Sequence, residues 1–175
     1  MDFQFFVEKL EGSEEFKDFK KKNPKAYLCS GFFAFDIANA GKENTYHLDF
    51  LLKAEKKIMS FKLENGIELM ENKSFGNEKF DLVEIPMNLS FEFKDFEAMI
   101  IERMEKEGIK NKIQKLLYSL QRVEGKDYLV GTVFITGFGL VQVNIDITNK
   151  AIEKFEKKSF MDFLKVVKKG DEEKK

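Results

Sequence analysis

The sequence predicts an α+β protein made of tandem helix-plus-antiparallel-sheet units arranged as a pseudo-symmetric pair. Apolar residues at helical spacing open the chain and return near residue 93, and each time strand-like alternation follows. The tetrapeptide Phe16-Lys17-Asp18-Phe19 recurs as Phe93-Lys94-Asp95-Phe96. The pattern I-E-x-x-E-x-K-S-F stands at 67–75 and again at 152–160. Two matches in the same order read as duplication of a helix-plus-meander unit. Two copies are too few for a solenoid, so they are expected to share one core or one sheet. The units are placed at 1–89 and 90–166, with a charged, disordered tail at 167–175.

The first unit begins with Phe3, Phe6, Val7 and Leu10 at i, i+3, i+4 and i+7, the stripe of an amphipathic helix. Phe16 and Phe19 fall on the far side of any continuation, so a break is expected at Gly12-Ser13. A second helix then runs to about Lys22. Glu14 and Glu15 lead it and Lys20 to Lys22 close it, as the helix dipole favours. Asn23-Pro24 ends it.

Residues 25–37 are apolar on both faces and read as a central strand, with Tyr27, Cys29, Phe33, Phe35 and Ile37 assigned to one face. Residues 45–53 alternate: Tyr46, Leu48, Phe50 and Leu52 inward, Thr45, His47, Asp49 and Lys53 outward. Met59, Phe61 and Leu63 begin a further strand, and Asn65-Gly66 marks a hairpin before 67–71. Residues 72–92 read as a connector with short extended pieces. Phe93, Phe96, Ile100 and Met104 mark a helix ending near Gly108. Residues 112–123 fit either a helix (Ile113, Leu116, Leu117, Leu120) or a strand (Leu116, Tyr118, Leu120). The turn Glu124-Gly125 and the β-rich run after it favour the strand. Val141, Val143, Ile145 and Ile147 alternate with polar residues in the next strand.

Composition narrows the function. The 175 residues carry 30 Lys+Arg and 31 Asp+Glu, a net charge of −1. Near-neutrality and the presence of only Arg103 and Arg122 argue against nucleic acid as a partner. Twenty Phe make the chain unusually aromatic, so the core is Phe-rich or some rings line a cavity or a partner surface. One Cys excludes an intrachain disulfide, and one His excludes a multi-His metal site; no cofactor is expected. The N-terminus lacks a signal-peptide pattern and no apolar run is long enough to span a membrane, so a cytoplasmic location is expected.

Over about residues 93–160 the chain resembles the PepSY-like domains. In that family a helix precedes a strand, a Glu/Gly turn, a strand opening with an aromatic residue, and a strand ending in I-D-x-x-x-G-x-[IV]. The corresponding residues are Leu120, Glu124-Gly125, Tyr128-Leu129-Val130 and the run from Ile145-Asp146 to Ile152, with Lys150 in place of the family's Gly. The resemblance implies an α+β fold without chemistry of its own and a binding or inhibitory role.

No phosphate-binding loop, dinucleotide fingerprint, zinc-helix motif or calcium loop is present. His47 and Asp49 lie two residues apart on one strand face. With Ser30, Ser60 or Cys29 as nucleophile they would form a hydrolase-type site only if a cleft brought all three groups together. The leading expectation is therefore a non-enzymatic interaction module for a protein partner, with homodimerisation as one form of it. The alternative is a carrier of a hydrophobic small ligand lined by Phe33, Phe35, Phe50, Phe61 and Phe138.

Overall fold

The fold comes from a computed structural model that describes residues 1–72 and 82–159. The chain starts with α1 (Phe3–Glu11), whose first turn is capped by the Asp2 carboxylate accepting from the Phe5 N–H. Gly12 closes α1, and Ser13 caps α2 (Glu14–Lys22) by accepting from the Phe16 N–H. The break between the helices is therefore where the change of apolar face requires it. Four strands follow: β1 (Tyr27–Asp36), β2 (Thr45–Leu52), β3 (Lys57–Lys62) and β4 (Glu68–Asn72). After α3 (Phe93–Lys106) come β5 (Ile113–Val123), β6 (Lys126–Ile135), β7 (Gly139–Asp146) and β8 (Ala151–Ser159). Residues 112–123 thus resolve as a strand, with Leu116, Tyr118 and Leu120 buried along one face.

All eight strands join one antiparallel sheet in the order β4-β3-β2-β1-β5-β6-β7-β8. This corrects the expectation of tandem helix-plus-sheet units. Strand accounts for 46% of the described residues and helix for 21%, so the fold is sheet-dominated. The physical reason is the pairing of β1 with β5, from Gly31 opposite Leu120 to Asp36 opposite Lys115. Both strands hydrogen-bond on both sides, so no sheet edge separates the two halves of the chain. The repeated I-E-x-x-E segments fall on the two outermost strands, β4 and β8. Residues 73–75 of the first copy and 160 of the second, like the expected tail at 167–175, lie outside the described residues.

All three helices lie on one face of the sheet. Phe3, Phe6, Val7 and Leu10 of α1, Phe16 and Phe19 of α2, and Phe96, Ile100 and Met104 of α3 form one apolar cluster with Phe33, Leu48, Phe50, Phe61, Tyr118, Val133 and Val143. Most of the rings meet edge-on or tilted, as their quadrupoles favour: Phe61 lies 5.1 Å from Phe19 and 5.4 Å from Phe16, and Phe33 4.7 Å from Phe93. The Phe-rich composition is spent mainly on this layer. Gly131 has no side chain because none fits. A Cβ there would stand 2.6 Å from Val143 Cγ2 and 3.2 Å from the Tyr118 ring.

One register differs from the sequence reading. A β-bulge at Cys29 interrupts β1 between Leu28, opposite Phe50, and Ser30, opposite Asp49. The inserted residue reverses the alternation on its N-terminal side. Leu28 therefore joins Phe33 and Phe35 under the helices, and Tyr27 and Cys29 do not. The connector before α3 is tied down by two backbone bonds, Ile85 N–H to Leu28 O at 2.8 Å and Phe3 N–H to Phe91 O at 3.1 Å.

Candidate functional site

The face of the sheet opposite the helices is covered by no element among the described residues, and it gathers the polar chemistry of the chain. One row crosses all eight strands: Glu68, Lys62, His47, Phe32, Ser119, Val130, Asn144 and Lys154 are successive cross-strand partners. The adjacent row reads Thr45, Ala34, Leu117, Thr132, Gln142 and Glu156. Phe32, Leu117, Val130 and Phe134 are half-buried, as are Ser119, Thr132, Gln142 and Asn144 between them. Apolar and hydrogen-bonding groups thus alternate over β1, β5, β6 and β7.

At β1–β3 this face holds a buried carboxylate. The registers place Ser30, Asp49 and Ser60 side by side on three strands. Ser30 Oγ donates to Asp49 Oδ2 at 2.6 Å, and Ser60 Oγ donates to Asp49 Oδ1. Asp49 is only 8% exposed, and the two hydroxyls supply the hydrogen bonds that a buried carboxylate needs. Next to it His47, about one-third exposed, lies with Nε2 3.8 Å from Asp49 Oδ2 and its ring stacked 5.1 Å from Phe32. A shallow hollow of about 520 Å³ opens beside His47, with Lys42, Lys62, Glu64 and Glu68 around it.

The structure therefore brings His47, Asp49, Ser30 and Ser60 together, which sequence spacing alone did not indicate for the serines. The arrangement differs from a Ser–His–Asp triad, in which the hydroxyl donates to the imidazole: here both hydroxyls donate to the carboxylate. Cys29 is buried, its Sγ donates to Asp49 O at 3.3 Å, and burial pushes the thiol pKa up to about 12. That is the opposite of what a reactive thiol requires. No group of three or more metal-ligating side chains occurs among the described residues.

The five phenylalanines proposed as a ligand lining are dispersed. Phe50 and Phe61 touch at 5.6 Å within the α2 cluster, and Phe33 sits fully buried beneath α1 and α3. Phe35 is half-buried at a cleft beside α3. Phe138 is 88% exposed on the β6–β7 turn and holds a left-handed φ of 58°. A bulky residue rarely adopts that conformation, and glycine would adopt it without strain.

A second carboxylate site lies at one end of β6 and β7. Asp127 is 4% exposed, with Oδ1 3.3 Å from Arg122 Nε. Burial pushes its pKa up, Arg122 pulls it down, and neighbouring Asp146 pushes it up again. Asp146 is held below the usual carboxylate range, first by the Asn149 backbone N–H it accepts. These interactions pin the β7–β8 turn.

No family model matches the sequence, and no curated protein matches it either. Among solved structures, the chain is similar to a crystal structure described as "a putative lipoprotein" from Clostridium difficile 630. The TM-score is 0.50 at 13% identity, over 83% of this chain and 91% of that one. At that identity the likeness is one of fold. No helix of the described residues is long and apolar enough to cross a membrane.

Proposed function

We propose that this chain is a non-enzymatic interaction module that receives a protein partner on the open face of its sheet. The observation that carries the reading is the composition of that face. Half-buried Phe32, Leu117, Val130 and Phe134 alternate with Ser119, Thr132, Gln142 and Asn144, and no described element lies over them. Apolar anchors among satisfied or satisfiable polar groups are the make-up of a partner surface rather than of a core. The β8 edge of the sheet is a poor docking site by contrast. Edge strand β8 alternates Glu153, Lys154, Glu156, Lys157 and Lys158, and such charges discourage strand addition. Phe138 supports the same reading, because an exposed ring kept in a strained turn has no role in packing. The Ser–Asp–Ser cluster serves to stiffen the face: the carboxylate ties three strands together.

The test is site-specific photo-crosslinking in the source cells, with benzoylphenylalanine at position 134 or 138 and, as control, at Ile101, which is 42% exposed on the helix layer. The reading predicts one protein adduct from 134 and 138, competed away by excess unmodified chain and absent from 101. Equal adducts from 101, or none from 134 and 138, would contradict it. An adduct with a second copy of this chain would assign the face to self-association and overturn the partner reading.

A further inference from the structure

A second site stands on the opposite side of the sheet, independent of the open face. Between α3 and the strands β1, β2 and β5 lies a cleft of about 230 Å³. Phe35, Phe93 and Leu116 form its apolar walls, and Ile37, 41% exposed, stands at its mouth. Tyr118 also lines it. The Tyr118 residue is 0% exposed, yet its Oη has no hydrogen-bond partner among the described residues. The neighbouring tyrosine is treated differently: Tyr46 Oη accepts from Asn44 Nδ2 at 2.7 Å.

A buried phenol without a partner is uncommon, since desolvating the hydroxyl costs free energy that no bond returns. Phenylalanine would fill the same volume between Phe35 (6.2 Å) and Phe93 (5.9 Å) at no such cost. The hydroxyl is therefore best explained by a bond that something entering the cleft accepts. Burial and the nearby Glu97 carboxylate, another lining residue, both raise the Tyr118 pKa, so the phenol stays protonated and keeps its hydrogen to donate. Lys94 and Glu97 at the rim are of opposite sign, so their charges offset one another. The volume limits the guest, because an apolar cavity of about 150 Å³ accommodates benzene.

We propose that this cleft binds a small neutral molecule, one ring or a short branched chain, whose carbonyl or ether oxygen accepts the hydrogen bond from Tyr118. The ligand-carrier alternative raised by the sequence thus moves to a set of residues that shares only Phe35 with the expected lining.

The probes are acetophenone, which has an acceptor, and ethylbenzene, which has the same ring without one. Both are titrated by NMR against the whole chain and against Tyr118→Phe. The proposal expects acetophenone to shift the signals of Leu116, Phe93 and Phe35, and Y118F to weaken it roughly fivefold, the worth of one hydrogen bond. Ethylbenzene should bind both proteins equally. If neither probe binds at millimolar concentration, or if Y118F leaves the acetophenone affinity unchanged, the proposal is overturned. Ile37→Trp provides a check that leaves Tyr118 in place. It should close the mouth and abolish binding of both probes, and undiminished binding to I37W would place the guest elsewhere and sink the assignment.

Discussion

On the helix-covered face, β1, β2 and β3 present Phe33, Phe50 and Phe61, none more than 1% exposed. On the other face the same strands present Phe32, His47, Asp49 and Ser60. The backbone and its twist are common to both, so the difference lies in the side chains alone. The first face is closed by interlocking aromatic rings from three helices, and its residues answer to packing. The second has its buried carboxylate satisfied within the sheet and the rings of Phe32 and Phe134 left half-covered, and those rings answer to whatever meets them. Stability and recognition are thus separated by the period-two alternation of a strand.

The sharpest way to break this comparison is to cut into each face and compare the costs. Phe61→Ala removes a ring held by Phe16, Phe19 and Phe50, and should cost about 3–5 kcal/mol in denaturant-monitored unfolding. A loss under about 1 kcal/mol would mean that the aromatic layer is not the core. Asp49→Ala takes away the carboxylate to which both Ser30 and Ser60 donate. It should cost about 1–3 kcal/mol, the largest penalty available on the open face. A neutral result would remove the cluster's role in stiffening that face.

Phe138→Gly should act in the other direction. It relieves a left-handed φ but adds freedom to the unfolded chain, so stability should stay level or rise by up to about 1 kcal/mol. A clear loss would show that the ring packs in the folded chain. The smallest effect concerns pH. The Asp127 carboxyl is raised above its ordinary value, so the folded state binds that proton more tightly than the unfolded chain does. Its contribution to stability is fully present at acid pH and falls as pH rises from the ordinary carboxylate range through the raised value. Asp146 is shifted down and has the opposite sign: its contribution is present above the ordinary carboxylate range and lost on acidification. Unfolding midpoints across mildly acidic pH should fall less steeply with rising pH in Asp127→Asn than in the unaltered chain.

Much of the covered face was legible in the sequence, because its signals are local. The spacing of Phe3, Phe6, Val7 and Leu10 located α1 and its buried stripe, and the alternation from Tyr46 to Leu52 located β2 with its inward face. The Glu124-Gly125 turn drew β5 and β6 together as a hairpin. What escaped were the non-local choices. Nothing local in residues 27–36 says that β1 pairs with β5, some eighty residues on, and that pairing converts two expected units into one sheet. The bulge at Cys29 was equally hidden: one inserted residue reverses every side chain on one side of it, and the composition of the strand does not change. The residues of the Asp49 cluster stood among the candidates, but their meeting was hidden for the same reason. Ser30 and Ser60 reach Asp49 only through two cross-strand registers, and the sequence separates the three residues by 19 and 11 positions. The Tyr118 cleft lies further still from any local signal, because its walls come from β1, β5 and α3.

The most direct test of the division between the faces is Phe134→Thr, combined with benzoylphenylalanine at position 138. Thr keeps the strand preference while removing a half-buried ring from the open face. The account predicts a melting temperature lowered by less than about 4 °C and a yield of the position-138 adduct reduced roughly tenfold, the loss expected of one interface anchor. A protein that melts as early as Phe61→Ala, or one that keeps its melting temperature and its full adduct yield, would contradict the claim that this face is built for a partner.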